Sequence, residues 1–166
     1  MDRDETADLG ILARRKIEAA VIAPIYDEMR KAIGEAKARE ILRNAIRRAA
    51  VAAGAEMAKR APGGADLESF KSILHLWTKD DALTIEVVAD EPGVLDFNVK
   101  RCRYAETYRA MGLGEIGDLL SCCRDGAFCQ GYDPRISLTR TQTIMSGASH
   151  CDFRYRTRRS DTEPES

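Results

Sequence analysis

The chain has 166 residues, of which 44% are hydrophobic and 32% charged, and its net charge is −1. This length favours a single domain that buries a core without disulfides or metal. The near-zero charge argues against nucleic-acid binding, and the sequence lacks the ~18–20 consecutive apolar residues that a membrane span needs. We therefore expect neither nucleic acid nor membrane as a partner.

The two ends of the chain indicate its compartment and its ordered extent. Residues 1–8 are acidic and lack the apolar segment of a signal peptide, so we expect a cytoplasmic protein. Its five cysteines, an odd number, are then expected to stay reduced. We predict one domain over residues 1–157 and a disordered tail over 158–166, where acidic residues stand without apolar ones.

The N-terminal half has the apolar period of helices. A helix over 10–33 is predicted by one row of apolar residues at every fourth position: Ile17, Val21, Ile25, Met29 and Ile33. Pro24 inside it predicts a kink or break near 22–24, and Gly34 a stop or hinge. A second helix is predicted over 35–53, with Gly54 just beyond its end.

A third helix and a hairpin are predicted next. Asp66 is expected to cap the helix, whose buried side chains begin at Leu67 and end at Trp77. The apolar period then changes from 3.6 to 2, which predicts strands over 83–87 and 95–99. Glu91-Pro-Gly between them is typical of a turn, so we expect an antiparallel pair.

The remaining residues predict shorter elements. These are helices over 104–111 and 114–123, a turn at 131–134, and strands over 136–145 and 151–156. The order of all the elements predicts an α+β domain. In it, N-terminal amphipathic helices pack on a mainly antiparallel sheet of about four strands, with further short helices.

All five cysteines fall in the C-terminal third, between Cys102 and Cys151. Two short signatures lie within the same segment. One is C-x-x-D over residues 122–125, and the other is G-x-x-x-C-D-F-R-Y over residues 147–155. Thiols gathered in one segment suggest that the chemistry of the protein is gathered there too.

Arg140 does not fit the strand predicted around it. In that strand Arg140 and Gln142 share a face with apolar residues, and a buried guanidinium is costly unless an anion pairs with it. The anion is Asp125, Asp152 or a substrate carboxylate. Alternatively, a slipped register or a bulge turns Arg140 outward.

The C-terminal segments resemble a known family. The residues that carry the resemblance lie in the stretches 101–106, 111–117, 122–125, 128–136, 140–147 and 151–155. They resemble the L-2-amino-thiazoline-4-carboxylic acid hydrolase family of bacteria, which the N-terminal helices fit more loosely. The resemblance implies hydrolytic opening of a small nitrogen-containing ring, a cyclic amidine or lactam, without a cofactor. A weaker resemblance, to small-molecule-binding domains of the vinyl-reductase type, supplies a non-catalytic alternative.

Ring opening needs a nucleophile, a proton for the departing ring nitrogen and a cation for a substrate carboxylate. Cys122 is our first candidate nucleophile, with Asp125 one helical turn away as the proton carrier. Cys151 is the second candidate, and packing in the core is the alternative for either thiol. The expected catalytic residues are Cys122, Asp125, Cys151 and Asp152. The expected substrate-binding residues are Cys102, Tyr104, Arg140, Thr143 and Arg154.

Other interpretations remain open at this point. A zinc site would use Cys102, Cys122 and Cys151 with His150 or Asp125, but the spacings match no standard pairing, and we expect no metal. His150 is also placed to lower the pKa of the Cys151 thiol, with a merely solvated turn residue as the alternative. We expect Cys123 and Cys129 to be packing residues, while Asp152 has a surface salt bridge as its alternative role. The helical N-terminal half is a candidate face for a homo-oligomer.

Overall fold

The computed structural model describes residues 9–158. The tail predicted over 158–166 lies outside this range except for Arg158, whose N–H donates to the Arg135 carbonyl at 2.8 Å. Within the described range the helices are α1 (Ile11–Ile33), α2 (Glu35–Ala58), α3 (Leu67–Ile73), α4 (His75–Thr78), α5 (Arg103–Ala110) and α6 (Arg124–Tyr132). The strands are β1 (Leu83–Glu91), β2 (Val94–Cys102), β3 (Ile136–Thr139) and β4 (Cys151–Thr157). The predicted α+β class is confirmed.

The four strands form one antiparallel sheet in the order β1-β2-β4-β3. The predicted hairpin is present, because Glu91 pairs with Val94 across a two-residue turn in which Gly93 has a φ of 76°. Alternation along β2 buries Leu95, Phe97 and Val99 on one face, as the sequence predicts. β1 is the partly exposed edge strand.

The first helix differs from its prediction in two ways. α1 runs without a break through Pro24, so of the predicted kink or break the break is wrong. Pro24 lies on the exposed side, where water can bond to the carbonyl that proline leaves unpaired. The apolar row is also exposed at Ile17, Val21, Ile25 and Ile33, whereas Ala19 and Tyr26 are buried. Gly34, with a φ of 83°, does separate α1 from α2 as predicted.

The second helix continues through Gly54 to Ala58, so the predicted helix end is wrong. Gly54 instead allows α2 to approach α6, since a Cβ there would overlap the Phe128 carbonyl oxygen. Gly131 does the same from the other side, because its Cβ would overlap the Val51 carbonyl oxygen. The sequence assigned Gly131 to a turn, and α6 was not predicted.

The segments on either side of α6 are irregular. Instead of the one helix predicted over 114–123, a 3₁₀ turn (Gly114–Ile116) is followed by a π-helical turn (Asp118–Cys122). β3 ends at Thr139 rather than at residue 145, because the backbone N–H groups of Thr141 and Gln142 donate to the Asp152 carboxylate instead of to a strand. The chain then makes a 3₁₀ turn (Ile144–Ser146) before β4.

The core consists of two hydrophobic clusters. One lies between the sheet and the helices α3 and α6, and includes Phe70, Phe97 and Phe128. The other lies between α1, α2, α5 and the 114–122 segment, and includes Tyr108 and Leu119. Leu83 and Cys102 pack against both clusters, and the candidate site lies at this boundary. No helix among residues 9–158 is long and apolar enough to cross a membrane.

Candidate functional site

A cavity of about 90 Å³ lies where the two hydrophobic clusters meet. Its apolar walls come from every layer of the fold: Ile11, Ala50, Ala53, Trp77, Leu83, Val99, Phe128, Met145 and Phe153. Its polar side chains are Arg15, Cys102, Tyr104, Ser121, Cys122, Arg124, Asp125, Arg140 and Cys151. A mainly apolar cavity with a few converging polar groups is typical of a small-ligand site, and this one has room for a single small ring.

Asp125 and Arg140 form an ion pair in the cavity wall. Arg140 Nη1 donates to Asp125 Oδ2 at 2.7 Å, and Nη2 donates to the Cys122 carbonyl at 2.9 Å. The guanidinium also lies 4.8 Å from the centre of the Phe153 ring. Of the anions considered for Arg140, the structure therefore selects Asp125. The two side chains keep 22% and 16% of their surface accessible, so both remain within reach of a ligand.

The environment of Asp125 makes its carboxylate easier to protonate than that of an ordinary aspartate. Burial raises the pKa of the carboxyl, and the Arg140 guanidinium opposes that rise only in part. A carboxylate whose pKa lies above its ordinary value takes up a proton more readily, which suits it to proton transfer. The geometry therefore gives Asp125 the character of a general acid–base group.

Three thiols line the same cavity: those of Cys102, Cys122 and Cys151. Burial is the main cause that raises the pKa of each one, and the Asp125 charge adds to the rise at Cys122. The Cys151 sulfur accepts the Ile144 N–H at 3.2 Å. Sequence reasoning thus placed the three thiols together correctly, but their surroundings keep them protonated. A reactive thiolate needs the opposite environment.

Other expected site residues lie away from the cavity lining. Asp152 accepts the N–H groups of Thr141 and Gln142, each at 2.9 Å, on the far face of β4. Burial raises the pKa of Asp152, but these hydrogen bonds outweigh it and lower the pKa to about 2. The Thr143 hydroxyl caps the following 3₁₀ turn. Arg154 donates to the Phe97 carbonyl and to Asn98 Oδ1, both at 3.0 Å.

The remaining cysteines and histidines also have local partners. Cys123 Sγ donates to the Leu119 carbonyl at 3.0 Å, and Cys129 is buried in the first cluster. The His150 ring contacts Gln142 and Ser149, and the pKa of Cys151 is raised by burial rather than lowered, so of the two roles considered for His150 the lowering of this pKa is not supported. Across residues 9–158 no three metal-ligating side chains are grouped closely enough to hold an ion.

Three polar cavity residues were missed by sequence reasoning: Arg15, Ser121 and Arg124. Arg15 from α1 and Arg124 from α6 lie against one carboxylate, that of Glu18. Arg124 stands inside the C-x-x-D signature, which offered a signal. Arg15 offered none, because it reaches the cavity only through the tertiary packing of α1.

The family model of L-2-amino-thiazoline-4-carboxylic acid hydrolases matches residues 14–155. The chain belongs to this family. The match includes every polar side chain of the cavity, from Arg15 to Cys151. No curated protein matches the chain.

A solved structure shares the fold of this hydrolase-family chain. It is the phenol-responsive sensory domain of the transcription activator PoxR, with phenol. The TM-score is 0.53 at 16% sequence identity, over 84% of this chain and 74% of that domain. At this level of identity the similarity establishes a common architecture and nothing about chemistry.

Proposed function

We propose that the protein hydrolyses a small nitrogen-containing ring, a cyclic amidine or lactam, inside this cavity. The observation that carries the proposal is a partly buried carboxyl group, Asp125, with a raised pKa in the wall of a small apolar cavity. Such a group can move a proton in both directions during one reaction. Membership of the hydrolase family supports hydrolysis over other proton-transfer reactions.

In this proposal Asp125 first accepts the proton of the attacking nucleophile. The nucleophile adds to the ring carbon that is flanked by nitrogen, and one ring bond of that carbon then breaks. Asp125 returns the proton to the departing ring atom, so one water molecule is consumed and no oxidant is required. Arg140 is a positioning residue, because its ion pair fixes the carboxyl that moves the proton.

The nucleophile is either water or the Cys122 thiol. Because burial raises the pKa of Cys122, the thiol attacks only if Asp125 removes its proton in the same step. A thioester-type intermediate would then be hydrolysed by water. We assign Cys102 and Cys151 to the cavity wall. Asp152, Thr143 and Arg154 have structural contacts outside it.

The test is turnover measured by mass spectrometry on a panel of cyclic amidines, lactams and hydantoins. We expect Asp125→Asn to lower kcat by about 10²–10⁴-fold, the usual contribution of general acid–base catalysis. Cys122→Ala lowers kcat as far if the thiol is the nucleophile and leaves most activity if water is. Cys123→Ala, a neighbouring thiol outside the cavity lining, is the matched control. Full activity of folded Asp125→Asn would refute the assignment of Asp125.

A non-catalytic binding module is the second candidate function. The shared fold with a phenol-responsive sensory domain and the protonated cavity thiols both favour it. It predicts saturable binding of a small ring, measured by calorimetry, while the mass of the ligand stays unchanged over many hours. Product formation that requires Asp125 would exclude this alternative.

The five cysteines, all of them described, are free thiols. Free thiols persist in reducing compartments. We therefore propose that the protein works in the cytoplasm.

A further inference from the structure

Two arginines share a single carboxylate at the end of the cavity formed by α1 and α6. Arg15 Nη1 donates to both oxygens of Glu18 at 2.8 Å. Arg124 Nη2 donates to Glu18 Oε2 at 2.9 Å, and its Nε donates to the Leu120 carbonyl at 2.7 Å. Both guanidiniums also line the cavity, with side chains 20% and 13% exposed.

The charges around the cavity do not balance. Among residues 9–158, Arg140 has its own carboxylate in Asp125, whereas Arg15 and Arg124 have only Glu18 between them. A guanidinium carries five N–H donors, more than these bonds use. An excess positive charge in an apolar cavity is costly until an anion neutralises it. The cavity therefore favours a ligand with one negative charge at this end.

We propose that Arg15 and Arg124 form a subsite for the carboxylate of the ligand. The ligand is then a small ring that bears one carboxylate, held so that the ring lies towards Asp125. Arginine pairs well with the flat carboxylate group, and a single excess charge matches a monoanion better than a phosphate dianion. The orientation of the ring rests on the proposed function, whereas the subsite itself is independent of catalysis.

This assignment moves substrate recognition away from Arg140. The sequence predicted Arg140 as the cation for a substrate carboxylate, but its guanidinium is bonded to Asp125 and to the Cys122 carbonyl. Arg15 and Arg124 come from opposite ends of the chain and meet only in the folded protein.

The test compares pairs of ligands that differ in the carboxylate alone. One pair is 2-amino-thiazoline-4-carboxylate and 2-amino-thiazoline, and the other is 5-oxopyrrolidine-2-carboxylate and pyrrolidin-2-one. Kd is measured by calorimetry and KM by turnover. Loss of a charge-assisted hydrogen bond predicts that Arg15→Gln and Arg124→Gln each raise the Kd of the carboxylates about 10-fold or more. The Kd of the neutral rings should change by less than about 2-fold.

Lys16→Gln is the matched control, because Lys16 neighbours Arg15 but is exposed and lies outside the cavity lining. Arg15→Lys keeps the positive charge, and it replaces Arg15→Gln in the test if that variant does not fold. Equal Kd values for acid and neutral ring in the unmodified protein would overturn the subsite, as would binding of neither. Carboxylate-selective binding without turnover would support the subsite and refute the proposed hydrolase function.

A second, independent observation concerns the exposed face of α1. Arg14, Ile17, Val21, Ile25 and Glu28 are all exposed, and the three apolar side chains keep 57%, 59% and 54% of their surface accessible. At ~100° per residue these five positions lie within about 40° of Val21, so they form one strip along the helix. An exposed apolar strip with charged ends is typical of an interface.

The order of residues in the strip is self-complementary. A two-fold axis through Val21 places Ile17 opposite Ile25 of a second copy and Arg14 opposite its Glu28. The Glu28–Lys31 pair at 2.9 Å is exposed and easily exchanged for such a contact. We infer that α1 pairs antiparallel with α1 of a second copy of this chain, forming a dimer.

Sedimentation velocity at a protein concentration of ~100 µM tests this inference. At that concentration a dimer with a dissociation constant of ~10 µM is the main species. We expect a dimer for the unmodified protein and a monomer for Arg14→Glu. The double variant Arg14→Glu/Glu28→Arg should restore the dimer, because the charges are exchanged. Val88→Glu, at an equally exposed valine on β1, should leave the dimer intact. A monomeric unmodified protein, or a double variant that stays monomeric, would refute the pairing.

Discussion

Asp125 and Asp152 are carboxyl groups whose pKa values move in opposite directions. Burial in the cavity wall raises the pKa of Asp125, although Arg140 lies beside it. At Asp152 burial has the same effect, but the hydrogen bonds from residues 141 and 142 prevail and lower the pKa to about 2. The first group suits proton transfer, whereas the second holds a loop in place.

Asp152 makes the stability of the protein sensitive to acid. Its folded pKa of about 2 lies below its ordinary value of 3.8. The carboxylate therefore stabilises the fold above about pH 4, and this stabilisation is lost as the pH falls towards 2. We expect Asp152→Asn to lower the free energy of unfolding at pH 7 by about 1–2 kcal/mol, so that the variant unfolds at a lower urea concentration. Between pH 7 and pH 3 the variant should lose less of its free energy of unfolding than the unmodified protein does.

Urea unfolding followed by circular dichroism at the two pH values measures this difference. Glu115→Gln, which removes an exposed carboxylate, is the control and should preserve the pH dependence of the unmodified protein. If Asp152→Asn kept the same pH dependence as well, the loop would not depend on the charged form of Asp152.

Part of the site was predictable from residue types and local spacing. Cys122 and Asp125 lie one turn apart, and the alternation along β4 correctly points Cys151 inward and Asp152 outward. Arg15 was not predictable in this way. Its contact with Arg124 passes through Glu18, 106 residues away in sequence from Arg124, and local periodicity carries no information on such contacts.

At the scale of elements, the sequence predicted a helix or strand correctly where contacts between residues close in the chain determine it. The Asp66 cap forms as expected, with Ser69 N–H donating to its carboxylate at 2.7 Å, because a capping box is local. α6 was missed because its glycines favour turns in isolation. It forms because Gly131 fits against the Val51 carbonyl of α2, which is a tertiary contact.

The crossing of α2 and α6 gives a test of this explanation. Ala substitution at Gly54 or Gly131 inserts a methyl group against backbone, so we expect each variant to lose about 1–3 kcal/mol in urea unfolding. Gly126→Ala is the matched control on α6, because a Cβ there meets nothing within 4 Å. It should gain about 0.5–1 kcal/mol from reduced chain entropy. Equal stability of Gly131→Ala and Gly126→Ala would show that the helices can separate at no cost.

At the scale of the whole molecule, the cavity lies between the two hydrophobic clusters rather than inside either. Phe128 belongs to the first cluster and Tyr104 to the second, and both line the cavity. A ligand that fills the space contacts both halves of the core. Binding should therefore stabilise the domain as one unit.

Thermal unfolding of Asp125→Asn, which is expected to leave the ligand intact, tests this coupling. A ligand at about 100 times its Kd adds about 2.7 kcal/mol, which corresponds to a rise in Tm of roughly 5–10 °C for a chain of this size. We expect this rise with 2-amino-thiazoline-4-carboxylate, in a single transition seen alike by near- and far-ultraviolet circular dichroism. Two separated transitions, with only one shifted by ligand, would show that the clusters unfold independently.

Strand β4 divides two tasks between its alternate positions. Cys151 and Phe153 face the cavity, whereas the outward residues fasten neighbouring segments, as Arg156 does through its ion pair with Asp96. Substitutions at the inward positions can therefore change which ligand the cavity binds, while the contacts of the outward residues still hold the sheet together. The strand is thus a natural place to begin altering selectivity by directed substitution, with the even-numbered positions left untouched.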